Sequence, residues 1–391
     1  MKESGYGELK GRLRLLRAAA FLSTFDRFTI GPMLVTIAAG LRVSLGDVAA
    51  AASLYFLLYG VMQPVWGMLS DRLGRVRVIR LTLIGALVPG LLSAFAPNLP
   101  VLVVARAFAG GLFAAVIPAS LVYIGDTVPI SIRQRALADQ LAASAIATAL
   151  ATVGAGVAAY LGLWRLAFAA PVVASCSLGL FLTRLPEPER ESENAGALAS
   201  LGRVFRRPWA ILVVLLALIE GGVILGFLTY LAPALEAAGY SAASSGLAVG
   251  LYGLATLGWT QVLKRVSDRL GKGALIVIGG MLLALGYTAG ALSQNLLSIS
   301  LAACFVGGGF AFMHSTLQTW ATEVVPEARA TVISFFAAAL FVGSGLATTA
   351  AAPLAEESAF TTLFTLAALV ALPLGLLGGL ARRRYARKHA S

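Results

Sequence analysis

The sequence predicts an all-α membrane protein, with twelve transmembrane helices forming two pseudo-symmetric six-helix bundles. Three observations carry that expectation. Of 391 residues, 59% are hydrophobic and 12% charged, where an ordinary soluble chain is about 45–50% apolar and about 25% charged. Twelve apolar segments follow one another, each near the roughly 20 residues that a bilayer-spanning helix requires. The chain also repeats itself at an offset of 197 residues, SDRLGR at 70–75 returning as SDRLGK at 267–272.

The segments run over residues 17–40, 47–69, 77–95, 100–124, 135–160, 164–183, 208–234, 244–263, 273–292, 296–320, 330–351 and 359–380. The first follows a basic opening, MKESGYGELKGRLRLLR, and contains Asp26, Arg27 and Pro32. A cleavable leader would show an uncharged apolar run of about 7–15 residues, so an uncleaved first span is expected. Segments one to six form a bundle over 1–183. The one long connection, 184–207, reads RLPEPERESENAGALASLGRVFRR, the composition of a solvated linker. Segments seven to twelve and a basic tail form the second bundle, 208–391. The 197-residue offset also carries Gly110-Gly111 onto Gly307-Gly308 and Val128-Pro129 onto Val325-Pro326. Six crossings per copy is an even number, so both halves share one orientation about an axis along the membrane normal.

The net charge of +12 has a location. With both termini and the linker placed in the cytoplasm, that side holds 26 of the 30 Lys and Arg residues; the far side holds Arg42 and Arg165, and Arg27 and Arg106 lie inside segments. This is a strong positive-inside pattern, and it brings the basic loops against anionic lipid head groups. A nucleic-acid partner is not expected, because basic and aromatic residues do not interleave. Cys176 and Cys304 sit in apolar runs and there are two histidines, so neither a disulfide framework nor a metal centre is called for. No Gly-x-x-x-x-Gly-Lys phosphate loop occurs. Nothing in the sequence calls for an enzyme or a cofactor.

The loop GMLSDRLGRVR at 67–77 resembles the signature of the major facilitator superfamily, Gly-x-x-x-Asp-Arg-x-Gly-Arg-x-Arg, and RAFAGG at 106–111 resembles that family's fourth-helix motif. The resemblance covers nearly the whole chain. It implies the major facilitator fold, a small-molecule substrate, and transport by alternating access in the cell (inner) membrane. The stretch FMHSTLQTWATEVVPEARAT at 312–331 is similar to bacterial efflux-type members, which implies proton-coupled export of a drug or metabolite. Uptake by proton symport, facilitated diffusion, and a non-transporting membrane receptor are the alternatives. Antiporters of the family often carry Gly-Pro in the fifth helix; here 151–162 reads ATVGAGVAAYLG, without proline. A monomer is expected, since two halves complete the fold within one chain.

In the 2–3 loop, Gly67 and Gly74 allow close approach and a tight turn. The resemblance implies that Asp71, with Arg72 and Arg75, latches the two halves together in one transport state and releases them in the other. Asp268 and Arg269 would act likewise in the second copy, where Lys264 stands in place of Gly67. Asp126 and Arg133, flanking Pro129, are candidates for the same network. The bland reading of the arginines is that they mark topology.

Ionisable residues inside spans are costly and face a cavity or a partner by default. Those found are Asp26 and Arg27 in helix 1, Arg106 in helix 4, Glu220 in helix 7 and His314 in helix 10. These helices open each three-helix unit, and in the family they line the central cavity. Adjacent residues point about 100° apart on a helix, so Asp26 is expected to face the cavity and Arg27 a neighbouring helix. Arg106 can serve the cavity or tie helices together. Asp26 and Glu220 are the candidate proton carriers, and Gln318 shares a face with His314. Tyr59, Gln63, Tyr123, Tyr230, Tyr252 and Trp320 are further candidate contacts. Two acids, two bases and one histidine leave either charge of substrate open.

Overall fold

The computed structural model describes residues 3–188, 202–204 and 206–389. Among these residues eleven helices are long and apolar enough to cross a membrane. The remaining rod is the first. α1 runs over Glu3–Thr29, turns at Gly31–Met33 and continues as Leu34–Leu41. The break follows from sequence: Pro32 has no N–H to donate. The break and the charges Asp26 and Arg27 deprive α1 of one uninterrupted apolar window.

The others follow in order: α2 Leu45–Leu73, α3 Arg75–Ala94, α4 Leu99–Thr127, α5 Ile130–Tyr160, α6 Trp164–Phe181, α7 Pro208–Ala237, α8 Ala242–Val266, α9 Lys272–Leu292, α10 Leu296–Ala321, α11 Pro326–Glu356 and α12 Phe360–Lys388. Nine of the twelve expected segments fall inside these rods, and 77–95, 164–183 and 359–380 overrun theirs by one or two residues. Capping residues start several of them. Ser44 accepts from the Asp47 N–H while the Asp47 carboxylate accepts from the Ser44 N–H, a reciprocal capping box. Asn98, Ser241 and Asn295 cap α4, α8 and α10 one way only, each side-chain oxygen accepting from the N–H three residues on. Most of the expected linker, 189–201 and 205, lies outside the described residues.

Large apolar side chains such as Phe95, Phe108, Leu285 and Leu369 stand on the outer surface. In water such a surface would drive aggregation; in a bilayer it is the solvated face. The two halves meet along α2 with α11 and along α5 with α8. Gly156 and Gly246 bring α5 and α8 together so closely that a Cβ on Gly156 would lie 2.8 Å from the Gly246 Cα. Ser53 on α2 donates to the Gly345 carbonyl of α11 at 2.8 Å. These contacts concentrate on the face away from the chain termini. Towards the termini, α5 and α8 become exposed, at 138–139 and 261–262.

Candidate functional site

The four helices α1, α4, α7 and α10 are all interrupted near mid-depth. α1 breaks at Gly31–Met33, and α4 between Phe113 and Val116. α7 makes a π-helical turn at Gly222–Gly226, and α10 makes one at Phe310–His314. Wide turns free backbone carbonyls, and inside a bilayer those must be bonded by the protein itself. In α7 they are: Tyr287 donates to the Val223 carbonyl at 2.5 Å and Ser344 to the Gly221 carbonyl at 3.0 Å. Ser23, which stands at Glu220's repeat position, donates to the Phe113 carbonyl at the α4 interruption, 3.2 Å away.

The first half holds one fully buried ion pair. Arg106 donates from Nη1 to Asp26 Oδ1 and from Nη2 to Asp26 Oδ2, both at 3.0 Å, and Nη2 also reaches the Asp26 carbonyl at 3.0 Å. Both side chains are 0% exposed. The guanidinium lies between the Tyr55 and Phe168 rings, 4.6 and 4.7 Å from their centroids. Planar, bidentate pairing with aromatic faces above and below suits arginine in particular. Asp26 is thus turned into its own bundle, where it joins α1 to α4.

Arg27, one residue on, is turned the other way, as the 100° step requires. Its guanidinium carbon lies 5.3 Å from the Phe28 centroid, 5.2 Å from Tyr59 and 5.1 Å from Phe341. Phe341 belongs to α11, so Arg27 stands at the seam between the halves. Tyr59 also packs at a tilt on Phe341 at 4.2 Å, and Phe28 meets Tyr252 of α8 at 6.0 Å.

The second half holds a looser pair. His314 Nδ1 and Glu220 Oε2 share a hydrogen bond of 3.3 Å; Glu220 is 0% exposed and the His314 side chain 12%. Glu220 Oε1 is buried with no hydrogen-bond partner. The imidazole is sandwiched, parallel to Phe310 at 4.5 Å and tilted on Phe336 at 5.4 Å. Gln318 is exposed, one turn nearer the termini face. Tyr252 lies within Coulombic reach of both Arg27 and Glu220, so those three residues share one neighbourhood.

At the termini face the loop residues form networks within each half. Asp71 is 70% exposed and pairs with Arg75 at 2.5 Å, while Arg75 Nε lies 3.6 Å from Asp126. Asp71 therefore bonds within its own half, and no ion pair between the halves is formed by Asp71 among the described residues. Arg133 donates to the Val128 carbonyl at 3.0 Å. Asp268 and Arg269 are exposed, and Gly67 faces Ser334 of α11, with 3.9 Å from its Cβ position to the hydroxyl. Gly74 adopts φ +106°, and a Cβ there would sit 2.5 Å from the Glu187 carboxyl carbon. Glu187 accepts from the Val76 and Arg77 N–H groups, both at 3.1 Å, so the chain leaving α6 caps the start of α3. The second half repeats the Arg75–Asp126 pair as Lys272–Glu323 at 2.5 Å, and adds Arg382 to Glu323 at 2.6 Å.

Glu187, Glu323, Phe28 and Phe341 escaped the sequence reading. Glu323 had a signal: it lies 197 residues after Asp126. Glu187 had none, standing in a stretch composed like free linker.

The sequence profile of the Major Facilitator Superfamily matches residues 17–348, most of the chain. Among solved structures, a bacterial homolog of the human lysosomal transporter Spinster, inward-facing and unoccupied, is similar with TM-score 0.75 and 18% identity, over 97% of this chain and 98% of that one. The nucleoside transporter NupG is similar with TM-score 0.77 and 13% identity, over 96% and 99%. The xylose transporter XylE from E. coli, in an inward-open conformation, gives TM-score 0.74 and 16% identity, over 95% of each. At such identities the likeness is one of fold.

Proposed function

The chain belongs to the Major Facilitator Superfamily, and from that premise we propose that it exports a small organic molecule in exchange for protons, with Glu220 as the proton carrier. Membership makes it a multi-pass membrane transporter of the secondary type and not an enzyme. The further steps are our reading of the site. We place both termini and the 184–207 linker in the cytoplasm of the inner membrane, because 26 of 30 Lys and Arg residues then lie on that side. On that placement the halves rock about the α2–α11 and α5–α8 seams, opening the site to each side of the membrane in turn.

One observation carries the coupling step: Glu220 is fully buried, bonded through one oxygen only, and its second oxygen has no partner. A buried carboxylate in that condition is costly while charged. A proton on Oε1 neutralises it. His314, partly exposed and bonded to the other oxygen, gives protons a path from the wet side. Export then follows if the halves change over with a proton on Glu220 or with the molecule in the site, but not with both. Asp26 lacks this freedom, since both its oxygens are held by Arg106.

The test is transport into liposomes holding the purified protein under an imposed pH gradient. Glu220→Gln is expected to leave transport that no longer responds to the gradient. Gradient dependence equal to the parent's in both Glu220→Gln and Asp26→Asn would reject proton coupling through either acid. Gradient-driven accumulation with the proton flow, in place of against it, would turn the assignment from export to uptake.

A further inference from the structure

We infer that the transported molecule is an amphipathic organic anion, an apolar body carrying one carboxylate, and that Arg27 receives the carboxylate. This rests on the transport reading above. Arg27 is 9% exposed and its Nε has no hydrogen-bond partner. Its one side-chain hydrogen bond goes to the Thr24 hydroxyl at 3.4 Å. Among the described residues no carboxylate lies within 4 Å of it; the neighbouring Asp26 is committed to Arg106, and Glu220 to His314. Three ring faces hold the guanidinium but do not neutralise it. Arg106, equally deep in the bundle, shows what such a group needs: a carboxylate in bidentate contact.

The position identifies what supplies the missing charge. Arg27 lines a cavity of about 30 Å³ at the seam, with Phe28 and Phe56 from the first half and Leu225, Leu228 and Val249 from the second. Both halves contribute wall, so the space changes as they rock. That volume exceeds the roughly 10–15 Å³ a cavity needs to admit one water, and parting the seam enlarges it. Apart from Arg27 and the threonines Thr152 and Thr229, whose hydroxyls bond carbonyls of their own helices, the walls are aromatic, aliphatic or glycine. An inorganic anion gains nothing from such walls, and a cation is repelled by Arg27. A carboxylate with a hydrocarbon or ring body satisfies both. A second acidic group would face Glu220 across Tyr252, which favours a monoanion.

The experiment measures binding to the full-length protein in detergent, by titration calorimetry without any pH gradient. The probes are octanoate, 4-phenylbutyrate and 1-naphthoate, each beside the primary amide and the amine of the same skeleton. The parent is expected to bind at least one carboxylate about 10–100-fold more tightly than its amide, the worth of a charge-assisted hydrogen bond, with the amine weakest. Arg27→Gln removes that preference and Arg27→Lys retains part of it. Amide or amine binding that matches the carboxylate throughout the series, or binding of none of the carboxylates, overturns the proposal. So does an unchanged preference in Arg27→Gln. If that variant does not fold, the parent series and Arg27→Lys decide. The calorimetry uses no pH gradient, and a carboxylate preference that Arg27→Gln abolishes stands whether or not Glu220→Gln uncouples transport in the liposome assay, so failure of the coupling mechanism and failure of the anion site give different results.

Discussion

Each half of the molecule buries one acid beside one base, between its first and fourth helices, and the two pairs are built differently. Asp26 and Arg106 exchange two parallel hydrogen bonds, add a third to backbone, and lie out of reach of solvent. Glu220 and His314 share one longer contact, leave an oxygen without a partner, and keep the ring edge partly exposed. Their surroundings differ as well. Arg106 sits in a regular helical stretch, whereas His314 ends a π-helical turn and Glu220 precedes one, and such turns recur at functional sites. A protein built from two copies of one unit has made one pair a fully bonded strut and left the other with a carboxylate oxygen that nothing bonds. Satisfaction of hydrogen bonds, more than burial, separates the two.

Removing one partner from each pair should expose this difference. Arg106→Gln leaves the Asp26 carboxylate buried and uncompensated, which costs about 3–5 kcal/mol. The expected result is a large fall in the unfolding temperature in detergent, partly restored by adding Asp26→Asn. Glu220→Gln should change stability by under about 1 kcal/mol, because one bond of 3.3 Å is all that it alters. Equal losses in the two variants would erase the distinction drawn here.

A smaller contrast lies at the termini face, where the repeat places Asp126 and Glu323 at matching positions. Asp126 has the Arg75 guanidinium at 3.6 Å and is largely open to solvent. Glu323 binds Lys272 and the buried Arg382 together, and Tyr385 donates to its carbonyl at 3.1 Å. Exposed pairs contribute about 0–1 kcal/mol. Glu323→Gln should therefore destabilise by about 1–2 kcal/mol and Asp126→Asn by clearly less, read from denaturation of the two variants in parallel. The reverse order would mean that the second network is the looser one.

What was legible in the sequence follows from how each feature is encoded. The rods were legible because a bilayer imposes a minimum apolar run, and every segment from 17–40 to 359–380 met it. The repeat was legible because SDRLGR and SDRLGK kept their chemistry. The π-helical turn of α7 was not, since its freed carbonyls are bonded by Tyr287 and Ser344, side chains of other helices. Asp26 and Arg27 were legible as buried charges, but their directions came out reversed: Asp26, expected in the cavity, is held by Arg106, and Arg27 lines the seam cavity. That choice belongs to the rotation of α1, fixed by Arg106 on one side and by Phe341 on the other. Glu187 was hidden for another reason. Its role as cap for α3 exists only where Gly74 takes a positive φ and makes room for its carboxylate.

The most direct measurement of the central claim needs no substrate. Infrared difference spectra of the protein in lipid, taken while the pH is stepped from acid to alkaline, report the carbonyl stretch of buried protonated carboxyl groups. The account predicts a titrating carboxyl band that disappears in Glu220→Gln and persists in Asp26→Asn. A band that survives in Glu220→Gln and is lost in Asp26→Asn would contradict it, making the first half's pair the proton site and the second half's pair the strut.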